Sequence, residues 1–150
     1  VLAWNRSTRE VAGVTSVSLD ELLQRSDFVT VHVALNDETR GLLDAQRIAM
    51  MKAGAVLVNT ARGGIVDEEA LAAALSSGQL SAAAVDVFAS EPVSLNNPLL
   101  ALPNVVVAPH IGSATTQTRA KMADIAASNA IAALNGEAMP HCVNPEVYRN

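Results

Sequence analysis

The sequence predicts an α/β protein in which alternating strands and helices build a doubly wound parallel sheet. Short apolar runs rich in valine alternate with helical segments, and several of these segments begin at serine or aspartate. Half of the 150 residues are hydrophobic while only 3% are aromatic, which indicates an aliphatic core. A chain of this length is sufficient for one domain with such a core.

The first predicted strand, residues 1–5, begins with the first residue of the chain. A strand needs a neighbour, and nothing precedes this one. We therefore expect the chain to be the latter part of a longer protein, with a sheet that is incomplete at its N-terminal end. The glycine-rich phosphate-binding pattern G-x-G-x-x-G does not occur in the sequence.

The next segments carry strand and helix signals in turn. Residues 14–17 predict a short strand, and Ser18 begins a capping-box pattern that predicts a helix to about Arg25. The following run, residues 28–34, is apolar and β-branched and predicts a strand buried on both faces. We expect His32 within this run to be packed rather than catalytic.

Two further helices flank the next predicted strand. Asp44 is placed to cap a helix that runs to about Met51. The strand of residues 55–60 follows. The acidic residues 67–69 then open a second helix, where their charge favours the positive end of the helix dipole, and this helix runs to Ser77.

The last part of the chain contains two more predicted strands and the longest helix. Residues 82–88 are predicted as a strand despite their alanines. The valines at 105–107 form the next strand, which ends at Pro109 because proline has no N–H to donate. Either Ser113 or Thr115 can cap the helix that follows, for which the apolar spacing predicts nearly twenty residues. The segment after it is expected to be extended.

Composition excludes several classes of function. The net charge is −5 and no basic run occurs, which argues against nucleic acid as the main partner. The single Cys142 excludes an internal disulfide. No apolar run approaches the ~20 residues of a membrane span, and no signal-type leader begins the sequence. We expect a cytoplasmic protein with no membrane partner.

Polar residues at the carboxyl ends of predicted strands are the candidate site, since ligands bind at that edge of open α/β sheets. Asn5, Arg6 and Ser7 follow the first strand and favour an anion, although a solvated loop is the alternative. Arg62 stands beside two glycines and is suited to bidentate recognition of a carboxylate, or else forms a surface salt bridge. His110 can exchange a proton near neutral pH, or else merely caps a turn.

Four motifs in one order carry a resemblance. They are Asn59-Thr60-Ala61-Arg62-Gly63-Gly64, Asp86-Val87-Phe88, Glu91-Pro92 and Pro109-His110-Ile111-Gly112-Ser113-Ala114-Thr115. Together they resemble the D-isomer-specific 2-hydroxyacid dehydrogenases, over about residues 1–140. The segment 134–140 and Arg6 are similar to the glyoxylate/hydroxypyruvate reductase branch of that family.

The resemblance implies three catalytic residues. Arg62 would hold the substrate carboxylate and help to polarise the 2-oxo group. His110 would donate a proton to the carbonyl oxygen as hydride arrives from the nicotinamide. Glu91 would hold the imidazole and favour its protonated form. These roles agree with the chemistry of the side chains, because hydride addition leaves an alkoxide that needs a proton and a nearby cation.

The resemblance also implies a dinucleotide cofactor and no metal ligands. Asp86 would contact the nicotinamide carboxamide, and Asn5 takes the position at which dinucleotide folds hold the ribose. Arg6 and Ser7 would meet a 2′-phosphate, which favours NADP over NAD. Backbone and apolar contacts would come from Val33, Ala34, Thr60, Ala61 and Gly112. Where Ala34 stands, the family commonly has proline, so the loop after that strand is expected to be less rigid.

The implied protein is a reductase that converts a small 2-oxo acid to the D-2-hydroxy acid, as a homodimer. Residues 1–113 would be a Rossmann-like dinucleotide-binding domain without its first strand and glycine-rich loop. Residues 114–150 would be a crossover helix and tail that return to the substrate domain. Because the phosphate loop lies upstream in the family, we expect these 150 residues alone to have no turnover and an exposed sheet edge at residues 1–5. A dinucleotide-sensing module of the corepressor type and an inactive fragment are the alternatives.

Overall fold

The computed structural model describes residues 1–7 and 10–148 of the chain. It divides the chain into two compact units, Val1–His110 and Ile111–Asn150. The first unit contains all the described strands, and the second contains the longest helix.

The strands of the first unit form two parallel sheets, which agrees with the predicted α/β class. The smaller sheet pairs β1 (Leu2–Ala3) with β2 (Thr15–Ser16). The larger sheet has four strands in chain order: β3 (Phe28–Val31), β4 (Ala55–Asn59), β5 (Leu80–Val85) and β6 (Val105–Val107). Every pairing in it is parallel.

The helices of the first unit begin where their caps predict. They are α1 (Leu19–Arg25), α2 (Ala45–Met50) and α3 (Glu68–Ser76). Ser18, Asp44 and Asp67 each accept a hydrogen bond from the backbone N–H three residues further on, which satisfies a donor that the first turn leaves unpaired. A short 3₁₀ helix, Pro98–Ala101, is capped in a similar way by Asn97.

The core lies between the larger sheet and a layer made by these helices. Parallel crossovers are right-handed, so α2 and α3, which connect strands that follow one another across the sheet, lie on the same face. α1 contacts α2, and α2 contacts α3. The fully buried side chains are aliphatic, as the composition predicts, and include Leu23, Ile48, Leu57, Ile65, Leu71, Leu80 and Leu99.

The prediction for residues 28–34 is wrong in two respects. Only Val29 and Val31 of β3 are buried, whereas Phe28 is 75% exposed. The reason is that only one face of β3, the face of Val29 and Val31, packs on the helix layer of the core. His32 is exposed rather than packed, because β3 ends before it, and its Nε2 lies 2.9 Å from Oγ1 of Thr30.

An apolar cavity of about 410 Å³ separates the two sheets. Its lining comes from β1, from β3 and from the leucines of α1. Within the described residues, β1 pairs only with β2 and β3 pairs only with β4. One edge of each strand therefore borders the cavity rather than another strand.

The second unit consists of α4 (Thr116–Leu134) and a tail. The helix has 19 residues, as the spacing predicts, and of the two possible caps Thr115 is the one used. The tail is not simply extended, since a 3₁₀ helix forms at Pro145–Tyr148. The side chain of Asn129 holds the tail through two hydrogen bonds with the backbone of His141. No helix in the described part of the chain is both long and apolar enough to cross a membrane.

Candidate active site

The carboxyl ends of the parallel strands bring three loops to one edge of the larger sheet. The loop after β4 contains Arg62, the loop after β5 contains Asp86 and Glu91, and β6 leads to His110. Residues far apart in sequence therefore gather at the edge where α/β proteins bind ligands.

The loop that carries Arg62 is shaped by the last residue of β4. Asn59 is only 3% exposed, and its amide is fully used within the loop. Its Oδ1 accepts a hydrogen bond from the N–H of Ala61 at 3.1 Å, and its Nδ2 donates to the carbonyl of Arg62 at 3.1 Å. The Arg62 guanidinium in turn donates to the carbonyl of Ala61 at 2.6 Å.

The next residue, Gly63, fixes the distance between two of the loops. A Cβ atom at this position would lie 1.8 Å from the carbonyl oxygen of Phe88, far inside contact distance. Only glycine therefore lets the Arg62 loop approach the backbone of the loop that carries Glu91.

The side chains of Glu91 and His110 are hydrogen-bonded to each other, with Oε2 of Glu91 2.8 Å from Nδ1 of His110. The N–H of Phe88 donates to the other carboxylate oxygen at 3.0 Å. The peptide bond between Glu91 and Pro92 is cis. Since Nδ1 faces Glu91, Nε2 is the ring nitrogen left to meet a ligand.

The pKa of Glu91 lies below its ordinary value. The hydrogen bond from His110 is the main cause, and the hydrogen bond from the N–H of Phe88 is the second. Partial burial acts in the opposite direction, whereas the electrostatic interactions with His110 and Arg62 lower the pKa further. Glu91 is thus held as a carboxylate, and Arg62 is close enough to act on it electrostatically.

His110 adopts an unusual backbone conformation. Its φ angle is 56°, in the left-handed region that non-glycine residues rarely occupy. Such conformations cost free energy and are held in place by the surrounding structure. His110 lies three residues after the end of β6, and the residue with this conformation is the one whose imidazole contacts Glu91.

Three of the residues predicted to bind the cofactor lie at the same edge. Asp86 is only 6% exposed, and its N–H donates to the carbonyl of Asn59 at 3.0 Å. Thr60 is exposed and Ala61 is half-buried. The contacts of these residues to a cofactor stay a prediction.

The other residues predicted to bind the cofactor are only partly brought together. Asn5, Arg6, Val33 and Ala34 line one cavity of about 350 Å³. Ser7 instead lines a neighbouring cavity of about 600 Å³, which Asn5 also borders. Gly112 belongs to the second unit, so its part in the site stays a prediction. Arg6 is exposed at this cavity, and Glu38, which also lines it, pairs with the Arg6 guanidinium.

Three residues of this region were not foreseen from the sequence. Oε2 of Glu38 lies 3.2 Å from Nη1 of Arg6, and both side chains are largely exposed. Glu68 and Asn97 are hydrogen-bonded to each other beside the loop that carries Glu91. No local pattern marks these partners, because each lies about 30 residues from the group that it contacts.

A parallel sheet with polar loops at its carboxyl edge and a cavity beside the loop after β1 defines the class of dinucleotide-binding α/β domains. The family model described as "D-isomer specific 2-hydroxyacid dehydrogenase, NAD binding domain" matches residues 1–112. The chain belongs to this family. The resemblance inferred from the four motifs and the Rossmann-like fold class are thereby confirmed.

Curated relatives and solved structures agree with this assignment. Glyoxylate/hydroxypyruvate reductase B of Escherichia fergusonii is 51% identical over 131 residues, which are 87% of this chain and 40% of the relative. The enzyme of the same name from Yersinia enterocolitica is 46% identical over 153 residues, covering 99% of this chain and 47% of the relative. The chain thus spans less than half the length of these relatives.

Among solved structures, a protein of Thermus thermophilus superposes with a TM-score of 0.90 at 44% identity, covering 95% of this chain and 45% of that protein. A D-isomer specific 2-hydroxyacid dehydrogenase of Xanthobacter autotrophicus, solved in complex with NADPH and MES, gives a TM-score of 0.77 at 38% identity. The match covers 97% of this chain and 61% of that protein.

Proposed function

We propose that this chain is the nucleotide-binding part of an enzyme that reduces a small 2-oxo acid, of the glyoxylate or hydroxypyruvate type, to the D-2-hydroxy acid. The observation that carries the proposal is the Glu91–His110 pair, at 2.8 Å, on the same sheet edge as Arg62. The names of the curated relatives support the choice of substrate. A cytoplasmic location and a homodimer stay predictions from the sequence.

Arg62, His110 and Glu91 have different roles in the reduction of the carbonyl group. The planar guanidinium of Arg62 binds the substrate carboxylate with two parallel hydrogen bonds. His110 donates a proton from Nε2 to the carbonyl oxygen, so that no free alkoxide accumulates. The Glu91 carboxylate orients the imidazole and stabilises its charged form.

The cofactor proposed for this site is NADP, with NAD as the alternative, and it would supply the hydride. Arg6 and Asn5 would hold its adenosine side, with Val33 and Ala34 as the apolar wall, and Ser7 would lie near the 2′-phosphate. Asp86 would orient the carboxamide through a side chain that the fold keeps buried. The NADPH bound to a 38% identical relative supports this assignment.

The function is tested by assaying glyoxylate and hydroxypyruvate reduction in the enzyme that carries this chain. We expect the oxidation of NADPH to depend on the added 2-oxo acid. Hydroxypyruvate should give the D-2-hydroxy acid, which chiral chromatography would detect, whereas the product from glyoxylate has no stereocentre and is detected by mass. A protein that binds NADPH but reduces neither acid would instead favour the role of a dinucleotide-sensing module.

Replacing Arg62 with lysine is expected to raise the KM for the 2-oxo acid and to lower kcat. Lysine keeps the charge but lacks the planar fork, so it cannot make two parallel hydrogen bonds to a carboxylate. Steady-state kinetics at saturating NADPH measure this change. Arg47→Lys, on α2, is the matched control, and full activity of Arg62→Lys would mean that Arg62 is structural.

Replacing Arg6 with alanine is expected to weaken NADPH binding about tenfold or more while affecting NADH far less, because only NADPH carries the 2′-phosphate. Glu38→Gln should act in the opposite direction, since Glu38 pairs with Arg6 and would repel the phosphate. Dissociation constants from nucleotide fluorescence measure both effects. Equal losses for the two nucleotides in Arg6→Ala would rule out the phosphate assignment.

A further inference from the structure

Glu68, the first residue of α3, contacts both ends of the loop that carries Glu91. Its Oε1 accepts a hydrogen bond from the N–H of Ala89 at 2.6 Å, and its Oε2 accepts one from Nδ2 of Asn97 at 2.6 Å. Glu68 is half-buried. The two contacts lie on either side of Glu91 along the chain.

The Ala89 contact of Glu68 is next to the candidate site, and its Asn97 contact is next to the core. The residue before Ala89 is Phe88, whose N–H donates to Oε1 of Glu91 and whose carbonyl meets Gly63. At the other end, Oδ1 of Asn97 accepts from the N–H of Leu99 at 3.0 Å, and Leu99 is buried in the core. The Glu68 carboxylate therefore links the loop to α3 at two fixed points.

We propose that Glu68 is a positioning residue for the Glu91–His110 pair. It does not reach the pair itself. It holds residues 89–97 against α3. The Phe88 N–H and the Glu91 carboxylate therefore keep their positions relative to the imidazole of His110. This inference rests on the proposed function for its catalytic consequence, but the positioning itself is measurable without turnover.

The donor and acceptor pattern requires a carboxylate at position 68. Both partners donate, and a carboxylate offers two acceptor oxygens. A glutamine has one acceptor oxygen and one NH₂ group, so in either orientation of its amide the NH₂ group would face a second donor, the Ala89 N–H or the Asn97 NH₂. Asn97 cannot compensate by turning its amide, because its Oδ1 already caps the 3₁₀ helix through Leu99.

The experiment compares three variants of the enzyme that carries this chain. Glu68→Gln removes one of the two contacts. Glu69→Gln is the matched control, since Glu69 is the exposed neighbour in the same first turn of α3 and removes the same charge near the helix N-terminus. The double variant Glu68→Gln with Asn97→Asp restores a donor opposite an acceptor, and the second oxygen of the introduced carboxylate still caps Leu99.

We expect Glu68→Gln to lower kcat about tenfold, the scale of one lost charge-assisted hydrogen bond, with an unchanged KM for NADPH. Hydrogen–deuterium exchange of the segment 86–92 should become faster. Glu69→Gln should match the wild type in both measurements, and the double variant should recover most of the kcat and the slow exchange.

Two results would overturn the inference: a Glu68→Gln variant that equals Glu69→Gln in kcat and exchange, or a double variant no better than Glu68→Gln. If the unmodified enzyme reduces no 2-oxo acid, the proposed function fails, while the exchange of residues 86–92 still decides whether Glu68 positions the loop.

Discussion

Replacing His110 with alanine is expected to lower kcat for 2-oxo acid reduction by about 10²–10⁴-fold, the usual contribution of a positioned general acid. The variant loses the proton donor that Glu91 holds at 2.8 Å. NADPH binding should stay largely intact, because the adenosine-side residues lie on other loops. Stopped-flow single turnovers and nucleotide titrations separate these two effects.

The matched control is His141→Ala. His141 is exposed in the tail of the second unit, and its contacts with Asn129 use its backbone atoms, which alanine retains. This variant should have wild-type kinetics. Unchanged turnover in His110→Ala would refute the assignment of His110 as the acid and leave Glu91 without a catalytic partner.

Replacing Gly63 with alanine is expected to destabilise the fold by about 3 kcal/mol, at the upper end of typical overpacking costs. The added Cβ would lie 1.8 Å from the Phe88 carbonyl oxygen, so one of the two loops must move. Either movement separates Arg62 from Glu91, and kcat/KM should fall together with stability. Urea unfolding and steady-state kinetics measure the two effects.

Gly41→Ala is the control for the glycine substitution. Gly41 has a φ angle of +63°, but its added Cβ would meet nothing within 4 Å. Only the left-handed backbone is penalised there, by about 1–2 kcal/mol. If Gly63→Ala were no more destabilising than Gly41→Ala, the contact with Phe88 would not control the spacing of the loops.

The elements that local chemistry determines could be predicted from the sequence. Asp44, Asp67 and Thr115 cap helices, because each needs only a backbone N–H a few residues away. The strands β4 and β5 follow from runs of small apolar residues. The polar loops at their carboxyl ends follow from the same alternation, since parallel strands end at one edge.

What depends on distant neighbours could not be predicted. The period of β3 is compatible with burial on one face or on both, and Phe28 is exposed because it lies on the face that does not pack on the helix layer. His32 is exposed for another reason, because β3 ends at Val31. Glu38 contacts Arg6, 32 residues away, and Glu68 contacts Asn97, 29 residues away. No local sequence pattern predicts such contacts.

The cavity between β1 and β3 has a practical consequence for biochemistry on these 150 residues. Backbone groups on the open edges that border it are templates for strand addition from another molecule. A preparation limited to this span is therefore expected to self-associate as its concentration rises. Sedimentation velocity across a dilution series would give the concentration range in which the protein is monomeric. Spectra should be recorded within that range.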